Sequence, residues 1–131
     1  MNVLMSIKFH SDGSNVDLMK DIAQVAKKES VGLKTIFVDY EKEGENKFSL
    51  NELMLMTFEA IQNNDCLIVE LSEKGVGLGI EAGYAFSKNK PVYVIAKKGS
   101  DISDTLSGIS KEIFFYENVA DLEEFFSKIR I

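Results

Sequence analysis

Five short apolar segments alternate with helical patterns along the chain, and this alternation limits the possible fold more than any other feature. The predicted strands are rich in branched and aromatic residues and cover residues 3–9, 34–39, 66–71, 92–96 and 113–116. Between them, apolar residues recur every three or four positions, as on the buried face of a helix. Strands that alternate with helices form a parallel sheet covered on both faces. The sequence therefore predicts an α/β fold with a doubly wound, five-stranded parallel sheet.

The expected order of these strands brings two segments to one crevice. Right-handed connections between parallel strands leave few arrangements, and we expect the flavodoxin-like order 2-1-3-4-5. In that order, ligands bind between strands 1 and 3, beyond their carboxyl ends. The polar turn at residues 10–12 follows the first strand, and the Gly-rich stretch 75–79 follows the third. We therefore expect both segments to line the same binding site.

Residues 66–85 join a buried strand, three alternating glycines and a helix. Gly75, Gly77 and Gly79 predict either a loop that lets the backbone approach a ligand or a tight turn that packs a helix against the sheet. The pattern alone leaves both interpretations open. We place Glu81 in the first turn of the helix that follows, where its charge stabilises the helix start or serves a reaction.

Composition argues against several classes of function. The 131 residues indicate one domain, residues 1–131, and the net charge of −6 argues against a nucleic-acid polymer as partner. No apolar run is long enough to span a membrane, and the amino terminus lacks the features of a signal peptide. Cys66 lies inside a predicted strand, and His10 has no partners at metal-ligand spacing. We expect a cytoplasmic protein without a metal site.

The segment GVGLGIEAGYAFSKNKPVYVI, which starts at Gly75, resembles the signature of the nucleoside 2-deoxyribosyltransferase superfamily. That superfamily includes the 2'-deoxynucleoside 5'-monophosphate N-hydrolases. Its members use a glutamate as nucleophile, so the resemblance implies this catalytic role for Glu81. It also implies cleavage of the N-glycosidic bond of nucleosides or their 5'-monophosphates, by hydrolysis or base exchange, without a cofactor. Members assemble with sites completed across an interface, so we expect a homodimer. The matching positions are Gly77, Gly79, Glu81, Gly83, Ala85 and Lys90.

The resemblance also suggests which residues bind the substrate. Ser6, Ile7 and Lys8 resemble a Ser-Ile-Arg segment that holds the nucleotide in the hydrolase branch, with Lys in place of Arg. Gly75 stands where the family has a phosphate-binding Ser, whereas Ser107 matches a Ser that reaches the phosphate from the partner subunit. The full set of substrate-binding candidates is Ser6, Ile7, Lys8, His10, Gly75, Gly77, Gly79 and Ser107.

The acid that protonates the leaving base is the point at which this sequence departs from the family. The hydrolase branch carries an Asp eight residues before the Asp that opens the third strand, but here Thr57 precedes Asp65 at that spacing. Glu59, Asp39, a residue of the neighbouring subunit, or no residue at all could take this place. The alternative function is therefore a weakly active or inactive domain that binds or senses nucleotides. A flavodoxin-like partner domain is a third possibility.

Overall fold

The computed structural model describes residues 1–129, and its five parallel strands form one sheet in the order β2-β1-β3-β4-β5. The predicted fold class and strand order are both confirmed. The strands are β1 (Asn2–Ile7), β2 (Gly32–Lys34), β3 (Cys66–Glu70), β4 (Val92–Lys97) and β5 (Glu112–Tyr116). The helices are α1 (Val16–Lys28), α2 (Leu50–Asn63), α3 (Val76–Ser87), α4 (Asp104–Ile109) and α5 (Leu122–Lys128).

The sheet separates two apolar layers, because successive side chains of each strand point to opposite faces. On β1, Val3 and Met5 join the layer covered by α1 and α5, whereas Leu4 joins the layer covered by α2, α3 and α4. All three side chains are almost completely buried. None of the described helices is both long and apolar enough to cross a membrane.

The prediction of a second strand over residues 34–39 is wrong. The structure ends β2 at Lys34 and turns residues Ile36–Tyr40 into one turn of π-helix. Two side chains close this turn: the Asp39 carboxylate accepts a hydrogen bond from the Thr35 amide at 2.8 Å, and the Thr35 hydroxyl accepts one from the Val38 amide at 3.3 Å. Such local bonds compete with strand pairing. As a result, β2 pairs with β1 only as far as Leu4.

The prediction of a Gly-rich loop before the third helix is also wrong. Gly75 is the N-cap of α3, and Gly77 and Gly79 lie inside the helix. None of these three glycines has a positive φ angle, so none is required here by a left-handed backbone. Glu81 consequently lies in the second turn of α3 rather than in the first.

Two further features follow strands of the sheet. The polar stretch after β4 contains α4, which Ser103 caps by accepting a hydrogen bond from the Leu106 amide. Glu70, at the end of β3, is only 2% exposed. Its carboxylate accepts hydrogen bonds from Ser72 and from the Tyr116 hydroxyl, which satisfy the buried charge.

Candidate active site

A pocket of about 160 Å³ lies beside the carboxyl half of β1. It exists because β2 ends at Lys34, so that no second-strand residue flanks β1 beyond Leu4. The π-helical turn, α2 and α3 supply most of the remaining walls, and Met19 of α1 and Phe9 complete them. Its lining combines apolar side chains with two carboxylates, Glu41 and Glu81. The pocket is thus a largely apolar cleft with a few polar groups, as is common for small-molecule sites.

Glu81 is held in this pocket by a side chain from the neighbouring strand. The Ser6 hydroxyl donates a hydrogen bond of 2.6 Å to Oε1 of Glu81. Burial raises the pKa of the Glu81 carboxyl, and the bond from Ser6 opposes that rise because it favours the charged form. A Cβ atom added at Gly77 would lie at an ordinary contact distance, 3.6 Å, from Oε2. The bond from Ser6 thus fixes one of the two carboxylate oxygens.

Two aromatic rings form part of the wall near Glu81. Phe9 and Phe37 pack with ring centroids 4.6 Å apart at an interplanar angle of 42°. Phe9 remains 49% exposed, and both residues line the pocket. Exposed aromatic faces beside a cleft provide a surface on which a planar ring can stack. The pocket can therefore accept a flat heterocycle next to a carboxylate.

Glu41 is a pocket residue that the sequence reasoning missed. It follows the π-helical turn, and burial raises the pKa of its carboxyl. The sequence places it in the charged stretch 40–47, which is typical of a surface connection and has no periodicity that would single it out. Of the acids considered earlier, exposed Glu59 does not line the pocket, and Asp39 instead accepts the Thr35 amide.

Thr57 lies in the wall of the same pocket, where the family resemblance expects an Asp. Its side chain is buried, and its hydroxyl donates a hydrogen bond of 2.7 Å to the Leu53 carbonyl within α2. The hydroxyl thereby satisfies a local backbone acceptor. A threonine hydroxyl does not act as an acid near neutral pH, so Thr57 cannot take the place of the missing carboxyl group.

A second, polar cavity of about 230 Å³ shares Ile7 with the Glu81 pocket. It is lined by Lys8, His10 and Lys97, together with acidic and hydroxyl groups. The imidazole of His10 lies 2.7 Å from the Glu73 carboxylate on one side and 2.7 Å from the Ser14 hydroxyl on the other. The cavity therefore gathers three basic side chains in a protein of net negative charge.

The predicted site residues divide into three groups in the structure. Ser6, Ile7 and Glu81 line the Glu81 pocket, with Gly77 beside the carboxylate. Lys8 and His10 line the polar cavity, and a Cβ at Gly75 would lie 4.0 Å from the Lys8 side chain. Gly79 faces open space, and Ser107 is exposed on α4 and lines neither cavity within one chain.

Metal and thiol chemistry find no support in residues 1–129. This part of the chain contains no group of three His, Cys, Asp or Glu side chains that could hold a metal ion. Cys66 is buried in β3, and burial raises the pKa of its thiol to about 12. A thiol in this environment stays protonated and unreactive at neutral pH.

Solved structures with the same fold include a deoxyribosyltransferase and an N-glycosidase. A 2-deoxyribosyltransferase from Bacillus psychrosaccharolyticus has a TM-score of 0.71 at 14% identity, covering 94% of this chain and 90% of its own. The CMP N-glycosidase BcmB of Clostridium botulinum has a TM-score of 0.69 at 13% identity, covering 98% and 100%. A conserved protein from Enterococcus faecalis V583 has a TM-score of 0.70 at 15% identity, covering 97% of both chains.

At these identities, the comparisons concern the fold. No protein-family model matches the chain, and no curated protein matches its sequence. The resemblance to the nucleoside 2-deoxyribosyltransferase superfamily, expected from the segment that starts at Gly75, is confirmed as a shared fold over nearly the whole chain.

Proposed function

We propose that this protein is an enzyme that cleaves the N-glycosidic bond of nucleosides or nucleoside 5'-monophosphates, with Glu81 as the nucleophile. The observation that carries the proposal is the Glu81 carboxylate, held by the Ser6 hydroxyl at 2.6 Å in a pocket with aromatic walls. The 2-deoxyribosyltransferase and the CMP N-glycosidase of the same fold act on this kind of bond, which favours the same chemistry here.

In the proposed reaction, Oε2 of Glu81 attacks C1' of the sugar while the bond between C1' and the base nitrogen breaks. The electron pair of that bond leaves with the base, and a covalent glycosyl-enzyme forms through an oxocarbenium-like transition state. Water then attacks C1' and releases the sugar, or a second base attacks it and forms a new nucleoside. The bond from Ser6 to Oε1 favours the ionised carboxylate that the attack requires.

The polar cavity supports a nucleoside monophosphate as substrate. Lys8 and Lys97 line this cavity, and Ile7 connects it to the pocket that holds Glu81. Glu70 and Glu73 also line the cavity, and Glu73 bonds to His10, so the two lysines are the groups that would pair with a 5'-phosphate attached to a sugar beside Glu81. We expect monophosphates to be better substrates than the corresponding nucleosides, with the difference mainly in KM.

We also propose that the protein is a homodimer in the cytoplasm. Large apolar side chains are exposed on the outer surfaces of two adjacent helices: Leu50 and Leu55 on α2, and Val76, Ile80 and Phe86 on α3. Exposed apolar side chains grouped on neighbouring helices are typical of an interface between subunits. A second subunit packed there could also bring its Ser107 toward the site, as the family resemblance implies.

The test is to incubate the protein with deoxynucleosides, ribonucleosides and their 5'-monophosphates, and to measure free base by chromatography. Wild type is expected to release base from at least one of them, and Glu81→Gln is expected to reduce release by a factor of about 10³ or more. Glu59→Gln is a matched control, because Glu59 is exposed and does not line the pocket. Equal turnover by wild type and Glu81→Gln would exclude Glu81 as the nucleophile.

The alternative is a domain that binds a nucleotide without cleaving it, and the specific observation that favours it is Thr57 in the pocket wall. The same incubation separates the two functions when it is combined with calorimetric titration. Binding of a nucleotide without release of base would support the sensing domain and would contradict the enzyme.

A further inference from the structure

We propose that Glu41 is the general acid that protonates the departing base, the role left open by Thr57. This inference rests on the proposed function, because it assigns the second carboxyl group of the same reaction. It differs from the two acids of this chain that the sequence suggested, Glu59 and Asp39, because neither of them lines the pocket. Its position follows from the π-helical turn Ile36–Tyr40, which delivers the next residue to the pocket.

The geometry brings two carboxyl groups from distant parts of the chain into one small cavity. Glu41 and Glu81 both line the 160 Å³ pocket, together with the aromatic pair of Phe9 and Phe37. Among the described residues, no Lys, Arg or His lines this pocket. Burial in a largely apolar cavity without a cation disfavours the ionised form of each carboxyl group.

The hydrogen bonds indicate which carboxyl group keeps the proton. The Ser6 hydroxyl donates to Glu81, which favours the ionised form of that residue. In the described part of the chain, nothing donates a hydrogen bond to the Glu41 carboxyl, and burial raises its pKa. Burial raises the pKa of both carboxyl groups, but only Glu81 accepts a hydrogen bond that opposes the rise, and this difference assigns the two roles. Glu41 is thus the proton donor, and Glu81 is the nucleophile.

The proposed step conserves protons and electron pairs. As Oε2 of Glu81 bonds to C1', the bond between C1' and the base breaks, and its electrons stay with the base. The carboxyl proton of Glu41 moves to a nitrogen or carbonyl oxygen of that base, which leaves as a neutral molecule. Glu41, now ionised, then accepts a proton from the water that attacks C1' and displaces Glu81. Both carboxyl groups return to their starting states.

The test compares two substrates that differ in how much their leaving groups need a proton. One is the nucleoside monophosphate that releases most base in the panel above, and the other is a 4-nitrophenyl 2-deoxyriboside, whose phenolate leaves without protonation. Glu41→Gln is expected to lower kcat/KM for the nucleotide by a factor of about 10²–10⁴. For the nitrophenyl substrate, we expect a change of less than about threefold, because that reaction does not use the acid.

The controls distinguish failure of this assignment from failure of the proposed function. Glu81→Gln should abolish release from both substrates, whereas Glu45→Gln, an exposed glutamate of the same segment that lies outside the pocket, should change neither. Thermal unfolding of each variant would verify that it is folded. An equal loss on both substrates in Glu41→Gln, or no loss on the nucleotide, would overturn the role of Glu41 alone. Retained turnover in Glu81→Gln would refute the nucleophile.

Discussion

Replacement of Ser6 by Ala tests how the nucleophile is kept ionised. The Ser6 hydroxyl donates a 2.6 Å hydrogen bond to Oε1 of Glu81, and the serine is only 4% exposed. A hydrogen bond to a charged group contributes about 1.5–3 kcal/mol, and we take about 1.5 kcal/mol because the pocket is open to solvent. Since about 1.4 kcal/mol is a factor of ten in an equilibrium constant, the loss of this bond should raise the pKa of Glu81 and make its protonation about tenfold more favourable.

The sign of the effect follows from the charged form of Glu81. Ser6 stabilises the carboxylate, so its removal makes protonation easier, and the acid limb of kcat/KM should move up by about one pH unit. At pH values above that limb, activity should fall only severalfold. The assay is base release measured from pH 4 to pH 9, with Ser87→Ala as the control. Ser87 lies on the same helix, and its hydroxyl donates to the Tyr84 carbonyl, away from the carboxylate.

A loss of activity that is uniform across pH would refute this reasoning. If Ser6→Ala lowers activity by the same factor at every pH and leaves the acid limb in place, then the hydroxyl positions the substrate or the helix and does not favour the ionised state of Glu81. If Ser87→Ala shifts the limb as much as Ser6→Ala does, the shift reflects a general change in α3. Either result would show that the hydrogen bond from Ser6 does not set the pKa of Glu81.

Three further predictions address stability and assembly. Because burial raises the pKa of Glu81, its ionisation costs folding free energy, so Glu81→Gln should be more stable than wild type by on the order of 1 kcal/mol at pH 8. This difference should vanish below about pH 4, where the unfolded chain is protonated too; urea unfolding that finds wild type more stable at pH 8 would contradict it. Ser49→Ala removes the capping box of α2, in which the serine hydroxyl and the Glu52 carboxylate bond to each other's amides, and should cost about 1 kcal/mol in the same assay. Ile80→Glu places a charge on the exposed apolar surface of α3 and should convert the expected dimer to a monomer in sedimentation velocity; a wild-type monomer would exclude the dimer.

The sheet could be predicted from the sequence because its signals are repeated along the chain. Each strand and helix carries its own apolar period, and the crossover rules then leave few strand orders. The fixed spacing between Ser49 and Glu52 likewise signals the start of a helix, and the structure has a capping box there. The conformation of Gly75, Gly77 and Gly79 could not be predicted in this way, because the same residues can form a loop or the first turns of a helix. That choice depends on packing against the sheet.

Of the two carboxyl groups in the candidate site, only Glu81 could be predicted from the sequence. Glu81 stood out through the resemblance of its segment to a known signature, and the structure places it in a pocket between β1, α2 and α3. Glu41 had no such signal, because it lies in a charged stretch that any surface connection could contain. Its position depends on the path of the chain after β2, and that path is set by contacts between Thr35 and Asp39.

The early end of β2 links the error in the fold prediction to the site itself. The sequence Thr-Ile-Phe-Val favours a strand by composition, and a strand there would have run along β1 beside Met5 and Ser6. Its side chains and backbone would then have occupied the space that now forms the pocket. Instead, the hydrogen bonds between Thr35 and Asp39 turn the chain away from β1 and leave its edge next to Ser6 unpaired. The same turn places Glu41 in the wall of the pocket. Strand pairing therefore ends beside the pocket that both carboxyl groups line, and a functional site is where a chain is expected to violate the local preference of its sequence.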